Sequence, residues 1–205
     1  MDASTAFQDL RLIFHVDVNS AFLSWSALKA LREDPSGVDL RTIPSAVGGD
    51  VKLRKGVITA RSIPAKKYGV RTGESVMAAL QKCPHLVLVR SDFQTYRTYS
   101  ELLMELLGSY TSVLEQVSID EAFLDMTGSL KSLLEADGRE DLSEGGAEAL
   151  IVSAWAEINA LAERLKGEVR EKLGFTVNVG ISTNKLLAKM ASDFEKPDKV
   201  HTLWP

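Results

Sequence analysis

The chain has 205 residues, 45% of them hydrophobic, one cysteine and a formal net charge of −4. That length allows one large or two small domains, and the composition excludes disordered, fibrous and membrane-spanning classes. Cys83, being alone, excludes an internal disulfide and reads as a buried apolar filler. The first apolar run, Leu12-Ile13-Phe14-His15-Val16, is stopped by Asp17, and no basic region with an apolar run of signal-peptide length precedes it. A cytoplasmic protein with no membrane partner is expected.

Residues 1 to 10 read as a frayed tail, and Leu12 to Val18 as a buried strand ending in Asp17-Val18-Asn19-Ser20. Asn19 or Ser20 then caps a helix over Ala21 to about Leu31, ended by Pro35-Ser36-Gly37. Ser45 to Val47 and Val57 to Thr59, with a Gly48-Gly49-Asp50 turn between them, resemble short strands with little core of their own. Arg61 to Tyr68 and Ser75 to Lys82 predict short helices, and Leu86 to Val89 another strand. From Val51 to Gly73 the chain carries Lys52, Arg54, Lys55, Arg61, Lys66, Lys67 and Arg71 and no acidic residue. Such a block suits a solvated face or a phosphate-attracting patch. The acid excess lies elsewhere, notably from Glu135 to Glu144.

Asp92 to Val113 has the periodicity of a long amphipathic helix, with Phe93, Tyr96, Leu103, Leu106, Leu107 and Tyr110 as a core-facing stripe. Two short strands follow, around Val117 to Ile119 and Ala122 to Leu124, with a turn that would lift Asp120 and Glu121 onto one rim. Gly128 to Gly146 resembles an inserted loop with a possible helical turn. About Ala147 to Leu173 predicts a second long helix stopped by Gly174, Phe175 to Ile181 a strand, and Ser182-Thr183-Asn184 the start of a last helix reaching about Glu195. This order fits an α+β fold, a ferredoxin-like sheet with helices on one face and a small inserted subdomain.

Asp120 and Glu121 stand between apolar residues, where carboxylates are costly unless something repays their desolvation. An acidic hairpin turn is the simpler alternative. If the first strand lies beside the hairpin, however, Asp17 joins them, and three carboxylates repel unless cations separate them. Oxygen-only ligands suit magnesium or manganese, and two such ions would serve phosphoryl or nucleotidyl transfer. His15 points away from Val16 and reads as a core or interface histidine.

The set Asp17-Val18-Asn19-Ser20-Ala21-Phe22, Pro64-Ala65-Lys66-Lys67-Tyr68-Gly69-Val70, Ser118-Ile119-Asp120-Glu121-Ala122-Phe123-Leu124-Asp125 and Gly180-Ile181-Ser182-Thr183-Asn184-Lys185-Leu186-Leu187-Ala188-Lys189-Met190-Ala191-Ser192-Asp193, closing with Lys196-Pro197, resembles the Y-family translesion DNA polymerases of DinB type. The resemblance implies template-directed nucleotidyl transfer in translesion synthesis and DNA repair, on primer-template DNA with deoxynucleoside triphosphates. It implies two Mg2+ ions (Mn2+ possible) held by Asp17, Asp120, Glu121 and the Val18 backbone carbonyl. Phe22 matches the steric gate against a ribose 2'-hydroxyl, though a core phenylalanine on an amphipathic helix is the competing reading. Lys196 matches a triphosphate contact, while Lys185 and Lys189 read as solvated lysines or DNA-backbone contacts.

Some positions depart from the pattern. Ile63 and Lys66 stand where the family usually has a Tyr and an Arg on the triphosphate, and Ala60 where a Thr is common. Ile63 cannot donate a hydrogen bond, and Lys66 meets phosphate as a point charge, not bidentately. Asn19 replaces a common second Asp. By the same resemblance, residues 11–28 and 86–205 are the palm and 29–85 the fingers. The thumb, the little-finger domain and any sliding-clamp contact are then absent from this chain, and the isolated fragment would be almost inactive. The alternatives are a non-catalytic DNA-damage-response module, which would be expected to lose carboxylates, and a nucleotidyl cyclase, which would lack an insertion between the first strand and the first long helix.

Overall fold

The computed structural model describes residues 11–49, 56–136 and 151–204. The strands are β1 (Ile13–Val18), β2 (Ser45–Gly48), β3 (Ile58–Arg61), β4 (Val87–Val89), β5 (Leu114–Gln116), β6 (Glu121–Asp125), β7 (Val177–Ser182) and β8 (Val200–Thr202). The helices are α1 (Ala21–Glu33), α2 (Ile63–Lys67), α3 (Val76–Lys82), α4 (Phe93–Gly108), α5 (Thr127–Ala136), α6 (Trp155–Glu168), continued by a π turn over Val169–Leu173, and α7 (Lys185–Ser192). The chain divides into two compact units, Ser20–Glu101 and the described residues through Asn19 with those from Leu102 onward.

In the second unit the strand order is β5-β6-β1-β7-β8. β1 is antiparallel to both β6 and β7, with Phe14 opposite Leu124 and Ile181, and Val16 opposite Ala122 and Val179. A ferredoxin-like α+β sheet is therefore present, extended by β8, which pairs parallel to β7. The period-2 pattern of these strands splits the sheet into unlike faces. Phe14, Val16, Val18, Ala122, Leu124, Val177, Val179 and Ile181 form one face, none more than 3% exposed. The other carries His15, Asp17, Glu121, Phe123, Asn178 and Gly180, and α7 lies on it. A Cβ at Gly180 would run into the backbone of Ala188 and Ser192, so the glycine permits that close approach.

Several elements differ from the sequence expectation. The hairpin's first strand is Leu114–Gln116, not Val117 to Ile119, because Val117 and Ser118 both donate their N–H groups to the Glu121 carbonyl and close a loop before β6. α4 ends at Gly108, five residues early, and the inserted stretch opens with α5, whose first N–H, on Thr127, is held by the Asp125 carboxylate at 3.0 Å. The rest of that insertion and acid run (137–150), the start of the second long helix, the tail 1–10, and Lys52, Arg54 and Lys55 of the basic block lie outside the described residues. Gly174, at φ 81, stops the helix as expected.

In the Ser20–Glu101 unit a three-stranded sheet has the order β3-β2-β4, with β4 parallel to β2. β4 thus pairs inside this unit, although residues from 86 were expected with the palm. The segment has more core than its short strands suggest. Ala46, Ile58, Ala65, Val76, Ala79 and Cys83 form one buried cluster, and Leu23, Ala27, Leu40, Val47 and Ala60 another. α2 and α3 begin where Ser62 and Ser75 accept the N–H of Ala65 and Ala78. Ser20 occupies the cap position of α1 without a side-chain bond, in a left-handed conformation (φ 48) that turns β1 directly into the helix.

Candidate active site

Antiparallel register sets Asp17 opposite Glu121, one at the C-terminal end of β1 and the other opening β6. The Val18 N–H donates to the Asp120 carbonyl at 3.0 Å, fastening the loop that carries Asp120 to the end of β1. The Asp17 and Glu121 carboxyls are close enough for each to act on the other's ionisation. Each also has an ammonium: Lys196 Nζ lies 2.8 Å from Asp17 Oδ1, and Lys189 Nζ 2.7 Å from Glu121 Oε2. Lys196 further contacts Asp193 Oδ1 at 2.9 Å. The Asp120 side chain accepts from the Ser118 hydroxyl at 2.8 Å. His15 is buried as expected, with Nδ1 2.8 Å from Ser192 Oγ and Nε2 4.0 Å from Glu121 Oε2.

Burial and charge act unequally on this group. Desolvation pushes the Asp17 carboxyl up to about 6; Lys196 opposes it and the neighbouring Glu121 adds to it. Burial also raises Glu121, but the Lys189 ammonium and the neighbouring Asp17 outweigh that and leave it below the usual range. Lys196 is lowered by burial, but its bonds to Asp17 and Asp193 prevail and raise it. Desolvation, helped by Lys189, pushes His15 down to about 4, so it is neutral at pH 7.

Of the expected site residues, Asp17, Val18, Asp120, Glu121 and Lys196 come together at this sheet edge, whereas Phe22 and Lys66 belong to the other compact unit. Phe22 is half-buried on α1, stacked on Tyr96 at 4.8 Å and edge-on to Trp25 at 6.2 Å. Lys66 is exposed on α2 beside Ile63, itself 52% exposed. Among the described residues no three carboxylate, His or Cys side chains are grouped closely enough to enclose an ion in this arrangement. The donor chemistry nevertheless fits hard cations: the facing groups are carboxylate oxygens, each already attended by a positive charge. Sequence reasoning missed Lys189, taken for a solvated lysine, and Asn178. The signal for Asn178 was an amide inside the Val-Asn-Val-Gly strand, on the face that alternation shares with His15 and Asp17.

Residues 16–193 match the impB/mucB/samB family, and the chain belongs to it. DNA polymerase IV of Clostridium acetobutylicum is 45% identical over 194 residues, 95% of this chain and 43% of that protein. DNA polymerase IV of Enterobacter sp. (strain 638) is 33% identical over 96% of this chain and 47% of its own length. Among solved structures, a Y-family DNA polymerase chimera of Dbh and Dpo4 superposes with a TM-score of 0.74 at 26% identity, covering 95% of this chain and 49% of that one. DinB from Sulfolobus solfataricus gives 0.71 at 27%, covering 95% and 48%. The chain thus spans about half the length of the relatives it matches.

The raised Asp17 carboxyl has a measurable consequence. Its folded value, about 6, lies above the ordinary 3.8, so the fold favours the protonated form. That stabilisation is complete below about pH 4 and is lost as pH rises through about 6. Asp17→Asn, measured in chelator, should therefore be more stable than wild type at pH 7, by on the order of 3 kcal/mol for a group 13% exposed. The difference should vanish near pH 4; a variant no more stable than wild type at pH 7 would contradict the desolvation account.

Proposed function

We infer that this chain is the palm and fingers portion of a template-directed DNA polymerase that performs nucleotidyl transfer in translesion synthesis. Residues 11–28 and 86–205 are read as the palm and 29–85 as the fingers, save that β4 pairs with β2 and goes with the fingers sheet. The observation that carries the reading is the pairing of Asp17 with Glu121 across β1 and β6, with the Asp120 loop hydrogen-bonded to Val18. Family membership and the DNA polymerase IV relatives point the same way. No feature favours a non-catalytic module, since all three carboxylates are retained.

Asp17, Asp120, Glu121 and the Val18 carbonyl would hold two divalent cations, Mg2+ or Mn2+. When bound, such ions lower the pKa of an attacking hydroxyl and stabilise charge developing at phosphorus. The remaining work falls to the chain itself. Asp17 and Glu121 present fixed oxygens from paired strands, so little reorganisation is needed. Lys196, no longer needed at Asp17, meets the triphosphate of a deoxynucleotide as a point charge. Lys66 is a weaker phosphate contact on the fingers, and Phe22, buttressed by Tyr96 and Trp25, excludes a 2'-hydroxyl. Primer-template DNA is the second substrate. A thumb, a little finger and any sliding-clamp contact are assigned to the part of its relatives that this chain does not match.

Asp120→Ala in the full-length protein should abolish primer extension, a loss of at least about a thousandfold, while leaving the fold intact, because its side chain supports only the Ser118 turn. Wild-type-like extension by that variant would end the metal assignment.

Phe22→Ala should raise ribonucleotide insertion relative to deoxyribonucleotide insertion. An unchanged ratio with lowered stability would return Phe22 to an ordinary packing role against Tyr96.

A further inference from the structure

Lys196 lies on the loop between α7 and β8, and that loop has little packing to hold it. Asp193 through Pro197 are exposed, and Phe194 is 55% exposed. At Asp198 the loop is held from α6 and the π turn, where Lys166 Nζ donates to the Asp198 carbonyl at 2.8 Å and Arg170 pairs with the Asp198 carboxylate. On the sheet side, and nearest Lys196, it is held by two asparagine amides. Asn178 of β7, 0% exposed, donates from Nδ2 to the carbonyls of Ser192 at 2.9 Å and Glu195 at 2.7 Å. Its Oδ1 accepts the Lys199 N–H at 3.2 Å and the Asn19 Nδ2 at 3.0 Å. Asn19, 8% exposed at the end of β1, accepts the Asp198 N–H at 2.9 Å and the Thr176 hydroxyl at 2.9 Å.

The loop is therefore gripped immediately before Lys196, at Glu195, and after it, at Asp198 and Lys199. Each amide uses both its donor and its acceptor end, and flipping Asn178 would set its NH2 against the Lys199 N–H and its oxygen against two carbonyls. Asp198 is held at φ 62, a conformation uncommon for a residue other than glycine, so the surroundings impose the loop's shape.

The geometry points to Asn19 and Asn178 as positioning residues for Lys196, a paired-amide latch that fixes where the triphosphate of an incoming nucleotide is met. It rests on the reading of Lys196 as the triphosphate contact. The asparagines touch no substrate and act only through the loop. The apolar face of the sheet is sealed without them, so loosening the latch displaces Lys196 more than it disturbs the core. An aspartate at position 19 could accept the Asp198 N–H but could not donate to Asn178, so the two asparagines work as a set.

The test is single-nucleotide insertion by the full-length protein, with primer-template affinity measured in parallel. Asn178→Ala and Asn19→Ala should each raise nucleotide KM about three- to tenfold, the loss expected for a hydrogen bond or two, with DNA affinity unchanged. Added to Lys196→Ala, either substitution should change KM by less than about twofold, because residues acting through one group are not additive. Full additivity on that background, or an unchanged KM in a folded variant, would overturn the latch. If Asn178→Ala does not fold, Asn19→Ala at the sheet's rim decides by the same cycle. A Lys196→Ala variant with unaltered KM would refute the triphosphate reading and the latch with it; an effect of Lys196→Ala with additive latch variants would refute the latch alone.

Discussion

Two carboxylates set opposite each other on adjacent strands, largely out of water, are the constraint on which this site depends. Like charges so placed repel and lose hydration, and the rise of Asp17 to about 6 records that burden. Lys196 and Lys189 relieve it, one ammonium to each carboxylate. Both lysines come from the stretch running from α7 into the following loop, so α7 must lie close on the polar face. Gly180 makes that possible by leaving room for the backbone of Ala188 and Ser192. A replacement of that glycine and a loss of either lysine would thus reach the same carboxylates by different routes.

The arrangement also explains why so polar a sheet face is tolerated. The apolar face is sealed, and the polar one is occupied by groups with partners: His15 on Ser192, Asn178 on two carbonyls, and the carboxylates on lysines. A site kept in this state holds its charges in place before any ligand arrives. The cost is stability at neutral pH, a common exchange where a fold carries chemistry.

Much of this was legible in the sequence, and the exceptions have physical reasons. β1 was visible as an apolar run and β7 as an alternation of apolar with small or polar residues, and Gly174 and Asp92 marked helix ends through a left-handed turn and a cap on Thr95. The hairpin was found with its second strand in place but its first set three residues late, since the apolar residues Val117 and Ile119 belong to a loop closed by hydrogen bonds to the Glu121 carbonyl. β8 was missed because three residues after a proline, at the edge of a sheet, carry little periodicity. β4 was recognised as a strand but not its partner β2, pairing being a long-range property that local pattern does not encode. Asp17, Asp120, Glu121 and Lys196 were legible as motif residues. Asn19 and Asn178 were not, because an asparagine's importance here lies in what its amide reaches across the fold.

The most direct test of the central claim, that this carboxylate edge is a divalent-cation site for a nucleotide, is anomalous diffraction from crystals grown with Mn2+ and a deoxynucleoside triphosphate. The account predicts manganese peaks coordinated by Asp17 and Glu121, with Lys196 turned from Asp17 toward the triphosphate. Manganese found only elsewhere, with Lys196 and Lys189 still paired to the carboxylates beside a bound nucleotide, would contradict it.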